Sequence, residues 1–265
     1  MKPWLLGAAA GTAVGAGVAA VSGGPTLVPW PDRVRTAFPY ALGTLVGAPT
    51  AAKVDVLTSF ARLARGRGRG PGRTLATIAT VGTIAAVAGT VASRRLLTNL
   101  VQQSRDLDAG FAAAPTDPLV SAGPGSLVQV TELGREGARF VGTVTPPDGI
   151  TQVTGQAPVA QPVRVFIGFD AAATPEQRVG LAMAELRRTG AFDRGHLVVQ
   201  APAGTGYANS TPIDVTEVLT RGDCASVAIG YGLLPSFLSL NRVGVGARTQ
   251  RLLLDAIREE LLTQR

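Results

Sequence analysis

Long stretches without a single charge set the limits for this chain of 265 residues. Nothing between Lys2 and Asp32 is charged, and Trp4 to Ser22 is almost wholly apolar or small. As a helix rising about 1.5 Å per residue, that run is long enough to cross a hydrocarbon layer of about 30 Å. Thr74 to Ser93 gives the clearest such run: twenty uncharged residues rich in Ala, Val, Ile and Thr, with Arg73 before it and Arg94 and Arg95 after. Thr36 to Ala52 is also free of charge but holds Pro39 and Pro49, so a short kinked span, a re-entrant segment and an interfacial hairpin all fit it.

Basic charge is concentrated in the same part of the chain. Residues 1 to 100 hold eleven Lys and Arg against two acidic residues, Asp32 and Asp55, a balance of +9, and the remaining fourteen basic and sixteen acidic residues give −2. A basic chain ordinarily suggests nucleic acid, but arginines set between apolar runs read as membrane topology. The Arg62 to Arg73 stretch (RLARGRGRGPGR) is then a loop held on the cytoplasmic side, and no nucleic-acid partner is expected. Three spans with that loop inside put the amino terminus inside and everything after Ser93 outside. The expected location is the cell membrane, multi-pass, with an extracytoplasmic soluble half and the lipid bilayer as partner. Small residues at Ala20 and Ser22 also suit a signal peptide cleaved before Gly23, the alternative for the first run. Gly7, Gly11 and Gly15 form a tandem GxxxG, repeated by Gly43 and Gly47, which is a helix-packing face within the chain or in a homo-oligomer.

With 46% hydrophobic residues, one Cys and one His, the chain excludes disorder, a disulfide scaffold and a Cys/His zinc site, and no metal or cofactor is expected. After the Pro- and Gly-rich stretch Ala112 to Gly125, strand and helix signals alternate. Val163 to Phe169 (VRVFIGF) predicts a buried strand. Thr174, Pro175 and Gln177 then supply an N-cap, a first helical residue and a capping box. Val179, Ala182, Met183 and Leu186 share a helical face, and Gly190 ends that helix. A strand at His196 to Ala201, a helix at about Thr211 to Leu219, a strand at Ala225 to Tyr231 and an amphipathic helix at about Ala247 to Thr263 complete a β-α-β-α-β-α order. That order predicts a mainly parallel sheet covered by helices, with ligands outside the carboxyl ends of its strands.

The segments PVRVFIGFDAAATPEQR, ELRRTGAFDRGHLVV, APAGTGY, LTRGDCASVAIGYGLLPSFLSL and LLLDAI resemble the first part of the catalytic domain of an actinobacterial membrane-anchored α/β-hydrolase family. GSLVQVTELGREGARFVG is similar to that family's lead-in. The resemblance covers about Gly125 to Leu262, and the apolar amino-terminal half is similar in character to the family's multi-span domain. It implies a serine hydrolase of the esterase or lipase type, acting on ester-bearing, lipid-related substrates. It also implies a layout of membrane domain over 1–95 (spans about 4–22, 36–52 and 74–93), linker over 96–125 and an incomplete α/β-hydrolase-like domain over 126–265.

The chemistry of that family requires a G-x-S-x-G elbow, which this sequence does not contain. His196 stands at a strand start, away from the end where such sites form, and Cys224 reads as a structural thiol, so no Ser-His-acid set assembles from these residues. The expectation is a truncated or split product without activity alone, partnered by a complementary hydrolase fragment; the alternative is a non-catalytic membrane scaffold or interaction protein. The loop Gly204, Thr205, Gly206 and Tyr207 after the second strand is the candidate for oxyanion-hole backbone donors. Gly232 and Phe237 are expected to mark a pocket wall, and Asp170 reads as a strand-ending turn residue. Gly244-Val245-Gly246, placed before the last helix, reads as a chance match to a phosphate loop.

Overall fold

The computed structural model describes residues 89–235, 238–239 and 242–264. The chain divides into two compact units, Met1–Asn99 and Leu100–Arg265. Of the first, residues 89–99 are described and are helical. Gly7, Gly11, Gly15, the expected spans 4–22 and 36–52, and residues 74–88 of the third lie outside the described residues, as does Phe237. Among the described residues no helix is long and apolar enough to cross a membrane.

The second unit opens with helical residues 100–105 and then runs through helix α1 (Val130–Gly142), helix α2 (Pro147–Thr154), strand β1 (Val163–Ile167), helix α3 (Pro175–Arg188), strand β2 (His196–Gln200), helix α4 (Ser210–Leu219), strand β3 (Cys224–Ile229) and helix α5 (Val243–Thr263). The three strands form one sheet in the order β1-β3-β2, and both pairings are parallel. Val163 aligns with Ala225 and Leu197 with the same Ala225. The sequence order therefore produced the parallel sheet its crossover helices demand.

β3 is central and buried throughout, and β1 is buried throughout as well. β2 is half-buried, with His196 exposed. Side chains alternate between the faces. Arg164 and Phe166 point to the face covered by α1 and α4, and Val163, Val165 and Ile167 to the opposite face, where α3 packs on β1 and β3 and α5 packs on α3. Phe166 lies against Gly137 of α1, where a Cβ would fall within 2.5 Å of its ring. That glycine lets the helix backbone approach the strand.

The α3 punctuation expected from sequence is in place. Thr174 Oγ1 accepts from the Gln177 N–H and Gln177 Oε1 from the Thr174 N–H, both at 3.2 Å, and Gly190 takes the left-handed conformation after the helix. Strand ends differ by one or two residues: β1 stops at Ile167 because Phe169–Ala171 turn into a 3-10 helix, and β3 runs from Cys224 to Ile229. α5 starts at Val243, four residues early, so Gly244 and Gly246 are helical and the phosphate-loop match falls away. Gly246 sits under the Tyr231 ring, where a Cβ would be 3.0 Å away, so it serves packing.

The stretch expected as a linker holds structure of its own. Arg164 N–H donates to Leu119 O at 3.3 Å and Ser121 N–H to Arg164 O at 3.0 Å, so Val120 lies parallel to β1 and is fully buried. Glu185 of α3 secures this strap. Its carboxylate accepts from Ser121 Oγ (3.2 Å), Ser126 Oγ (3.0 Å), the Leu127 N–H (2.8 Å) and the Arg188 guanidinium (2.9 Å). Burial alone would raise the Glu185 pKa, but Arg188, the Leu127 N–H and Ser126 together hold it below the usual carboxylate value. A lowered native pKa stabilises the fold above the unfolded pKa, and that contribution is lost as pH falls through the native value. Wild type is therefore expected to lose stability on acidification below about pH 4, and Glu185→Gln to lose less over the same interval. Tm measured against pH checks this, and parallel curves for the two proteins would refute it.

The other face is organised by a buried charge. Arg164, 0% exposed, donates through Nε to Glu217 Oε1 (2.6 Å), through Nη2 to Glu217 Oε2 (2.9 Å) and Asp214, and through Nη1 to the Phe140 carbonyl (2.7 Å) and Thr143 Oγ1 (3.0 Å). Burial works against that charge, but Glu217 and Asp214 outweigh it and keep the guanidinium pKa raised. One strand residue thus ties α1 to α4.

Candidate functional site

Three loops meet at the carboxyl ends of the strands, where open parallel sheets bind ligands. After β1, Gly168 passes so close to α1 that a Cβ would fall on the Glu132 carbonyl. Phe169 and Asp170 follow, and Asp170 forms a bidentate pair with Arg105 at 2.6 and 3.0 Å, which fixes the turn as expected of a strand-ending aspartate. After β3, Gly230, Tyr231 and Gly232 lead toward α5. Partial burial raises the Tyr231 phenol pKa, so it stays protonated near neutral pH.

After β2, the Gly204–Tyr207 loop closes on itself. Ala203 N–H donates to Tyr207 O at 2.8 Å, Gly206 N–H to Ala203 O at 2.9 Å, and Tyr207 N–H to Thr205 Oγ1 at 3.4 Å. Gly206 has φ +89°, a conformation that favours glycine. Gly204 and Gly232 abut: a Cβ on Gly232 would lie 2.8 Å from Gly204 O, and one on Gly204 would lie 2.6 Å from Leu234 O. The loop therefore sits at the expected end of the sheet, but Gly206 and Tyr207 direct their N–H groups into the loop itself. Gly232 is buried and lies at this edge.

The remaining sequence candidates fall elsewhere. His196 is exposed at the amino end of β2, with Nδ1 3.4 Å from the Asp223 carbonyl oxygen. Cys224 begins β3, also at the amino end, and burial raises its thiol pKa above the ordinary value. Neither reaches the carboxyl edge. Among the described residues there is no group of three or more His, Cys, Asp or Glu suited to a metal ion.

Sequence reasoning missed the basic side chains of this edge. Arg178 of α3 is 1% exposed, and its guanidinium carbon lies 5.0 Å from the Phe169 ring centroid; the Arg242 guanidinium carbon lies 5.0 Å from the same centroid. Arg178 immediately precedes Val179 on the apolar side of α3, and a charge in that position was the available signal.

A parallel sheet wrapped by crossover helices, with loops gathered at its carboxyl edge, defines an α/β protein. Residues 163–264 match the family model described as alpha/beta-hydrolase family, and residues 39–144 match the one described as alpha/beta-hydrolase family N-terminus. Alpha/beta-hydrolase family domains are thus present in this chain. The N-terminal match runs through α1, and the second begins at the first residue of β1. No curated protein and no solved structure matches the chain.

Proposed function

We propose that this chain is a membrane-anchored protein of the alpha/beta-hydrolase family, directed at ester bonds of lipid-like substrates, whose 265 residues form a scaffold without a complete catalytic set. The observation that carries the reading is a separation. The gathered loops lie at the carboxyl edge of the sheet, while the chain's single histidine, itself inside the matched residues 163–264, lies at the amino edge. The sequence also has no G-x-S-x-G to present a nucleophile on a strand-to-helix elbow. In this reading residues 1–95 are the multi-span anchor, supported by their charge-free runs and arginine-bounded loops. The Gly204–Tyr207 loop borders the place where a substrate carbonyl would lie, and the elbow is supplied by a complementary fragment.

A fluorophosphonate serine probe applied to the purified chain is expected to leave no label, and a short-chain nitrophenyl ester to be hydrolysed no faster than in buffer. Labelling or turnover that disappears when one of the chain's own serines is replaced by Ala would overturn the reading. The half-exposed β2, which pairs only with β3 among the described residues, favours a second reading: a membrane scaffold in which this border docks another protein. Recovery of esterase activity on mixing with a complementary hydrolase fragment separates the two, since a scaffold gains none.

A further inference from the structure

Positive charge at the carboxyl edge is only partly answered, because the nearby carboxylates Glu176 and Asp170 are paired with Arg248 and Arg105. Arg178 is buried; its Nη1 donates to the Ala172 carbonyl at 2.7 Å, and its buried Nε has no hydrogen-bond partner. Arg242, exposed just before α5, shares the Phe169 ring with it. With both guanidinium carbons 5.0 Å from one centroid, the two charges lie no more than about 10 Å apart. Among the described residues neither arginine belongs to an ion pair, whereas Arg105, Arg139, Arg164, Arg187, Arg188 and Arg248 all do. Buried charges in proteins are as a rule paired. Here the buried guanidinium has a neighbour of its own sign.

Two further observations point outward to a ligand. Burial, and after it the charge of Arg242, lower the Arg178 pKa despite the opposing pull of Glu176, the reverse of Arg164, whose counter-charges are bonded to it directly. The start of α5, a helix of 21 residues, has no side-chain cap and no acidic residue in its first turn. Such an end presents N–H groups and the positive pole of the helix dipole to an anion. The Arg242 stem runs over Gly232, with Cδ 3.7 Å from where a Cβ would stand, so the guanidinium is seated on the same turn that lines the edge.

The geometry points to a phosphate-binding subsite at the start of α5, in which Arg242 and the first-turn N–H groups hold the phosphate and Arg178 stands behind them as a fixed positive charge. Two guanidinium charges and a helix end call for more than one negative charge, which a phosphomonoester supplies and a carboxylate does not. The ligand is a phosphate-bearing molecule, either a lipid with a terminal phosphate or a soluble phosphate. The inference stands apart from ester chemistry, since it needs no nucleophile.

The test uses the full chain in uncharged maltoside micelles with inorganic phosphate as probe. The ³¹P line is expected to broaden on adding the chain. Saturating phosphate is expected to raise Tm by about 3 °C or more over chloride at equal ionic strength. Arg242→Gln is expected to weaken binding about tenfold or more, and Arg242→Lys, which keeps the charge and loses the fork, to fall between. Dihexanoyl phosphatidic acid then identifies the source: displacement of inorganic phosphate marks a lipid headgroup, and failure to displace bound phosphate marks a soluble ligand. Absence of broadening with the wild-type chain overturns the subsite without reliance on any variant. A Tm rise matched by chloride, or unchanged binding in a folded Arg242→Gln, overturns it equally. None of these readouts depends on serine labelling, so this inference and the hydrolase reading fail separately.

Discussion

Glu217→Ala is expected to destabilise the second unit by about 3–5 kcal/mol, because it strands the Arg164 charge in the core. Both residues are 0% exposed. Glu217 takes two of the guanidinium's hydrogen bonds and also accepts from the Thr145 N–H at 2.9 Å, so its removal frees one buried charge and one backbone donor together. Asp214 stays as a partner, but its side chain is 42% exposed and its attraction is weakened by solvent. Hydrogen exchange is the appropriate readout, since both tryptophans lie in the first unit. Amides of β1 and β3 should exchange faster by about 100-fold to several thousand-fold. The double variant Arg164→Met with Glu217→Leu should be clearly more stable than either single change, because it removes charge and counter-charge together. A Glu217→Ala protein whose β1 and β3 amides exchange within about fivefold of wild type would show that the pair does not hold α4 to the sheet.

Gly168→Ala is expected to cost about 3 kcal/mol or more by overpacking. The cause is space and not backbone freedom, because Gly168 has ordinary dihedrals (φ −69°, ψ 164°) and its Cβ would coincide with the Glu132 carbonyl. Neither atom can yield alone: Glu132 belongs to the capping box of α1, and Gly168 is the exit of β1. The expected result is faster exchange in both α1 and β1. Gly180→Ala is the control. It lies on the outer side of α3 with nothing within 4 Å of the new methyl, and should gain about 0.5–1 kcal/mol from helix propensity. Equal behaviour of the two variants would mean that α1 can withdraw from the strand without penalty.

The parts of the fold legible in the sequence were those whose signals are local. VRVFIGF announces a buried strand because five consecutive residues, Val163–Ile167, are shielded on both faces. Thr174, Pro175 and Gln177 announce a helix start because the cap contacts lie within three residues of one another. α1 and α2 went unread for equally physical reasons. α1 carries Gly134 at φ +68° inside it, and α2 is only eight residues long. The strap at Val120 was hidden among prolines and glycines, since its pairing partner lies more than forty residues away.

The same limit applies to the site. Its end of the sheet followed from strand order alone, and the Gly204–Tyr207 loop follows β2 at that end. The meeting of Arg178 and Arg242 at Phe169 joins residues from three separate elements, and no spacing encodes such a meeting. Arg164 did leave a trace: a lone charge inside an apolar strand requires a buried counter-charge, and Glu217 on the apolar side of α4 is the residue that meets it.

The strap alongside Arg164 gives the sheet a direction. Backbone groups on the outer rim of β1 are engaged by residues 119–121, whereas among the described residues no strand pairs with the outer rim of β2. Extension by any further strand is therefore one-sided, beginning beside His196–Gln200 and never beside Val163–Ile167. Misassembly between copies would follow the same polarity, and a lysine placed at Val198 would blunt it at its source.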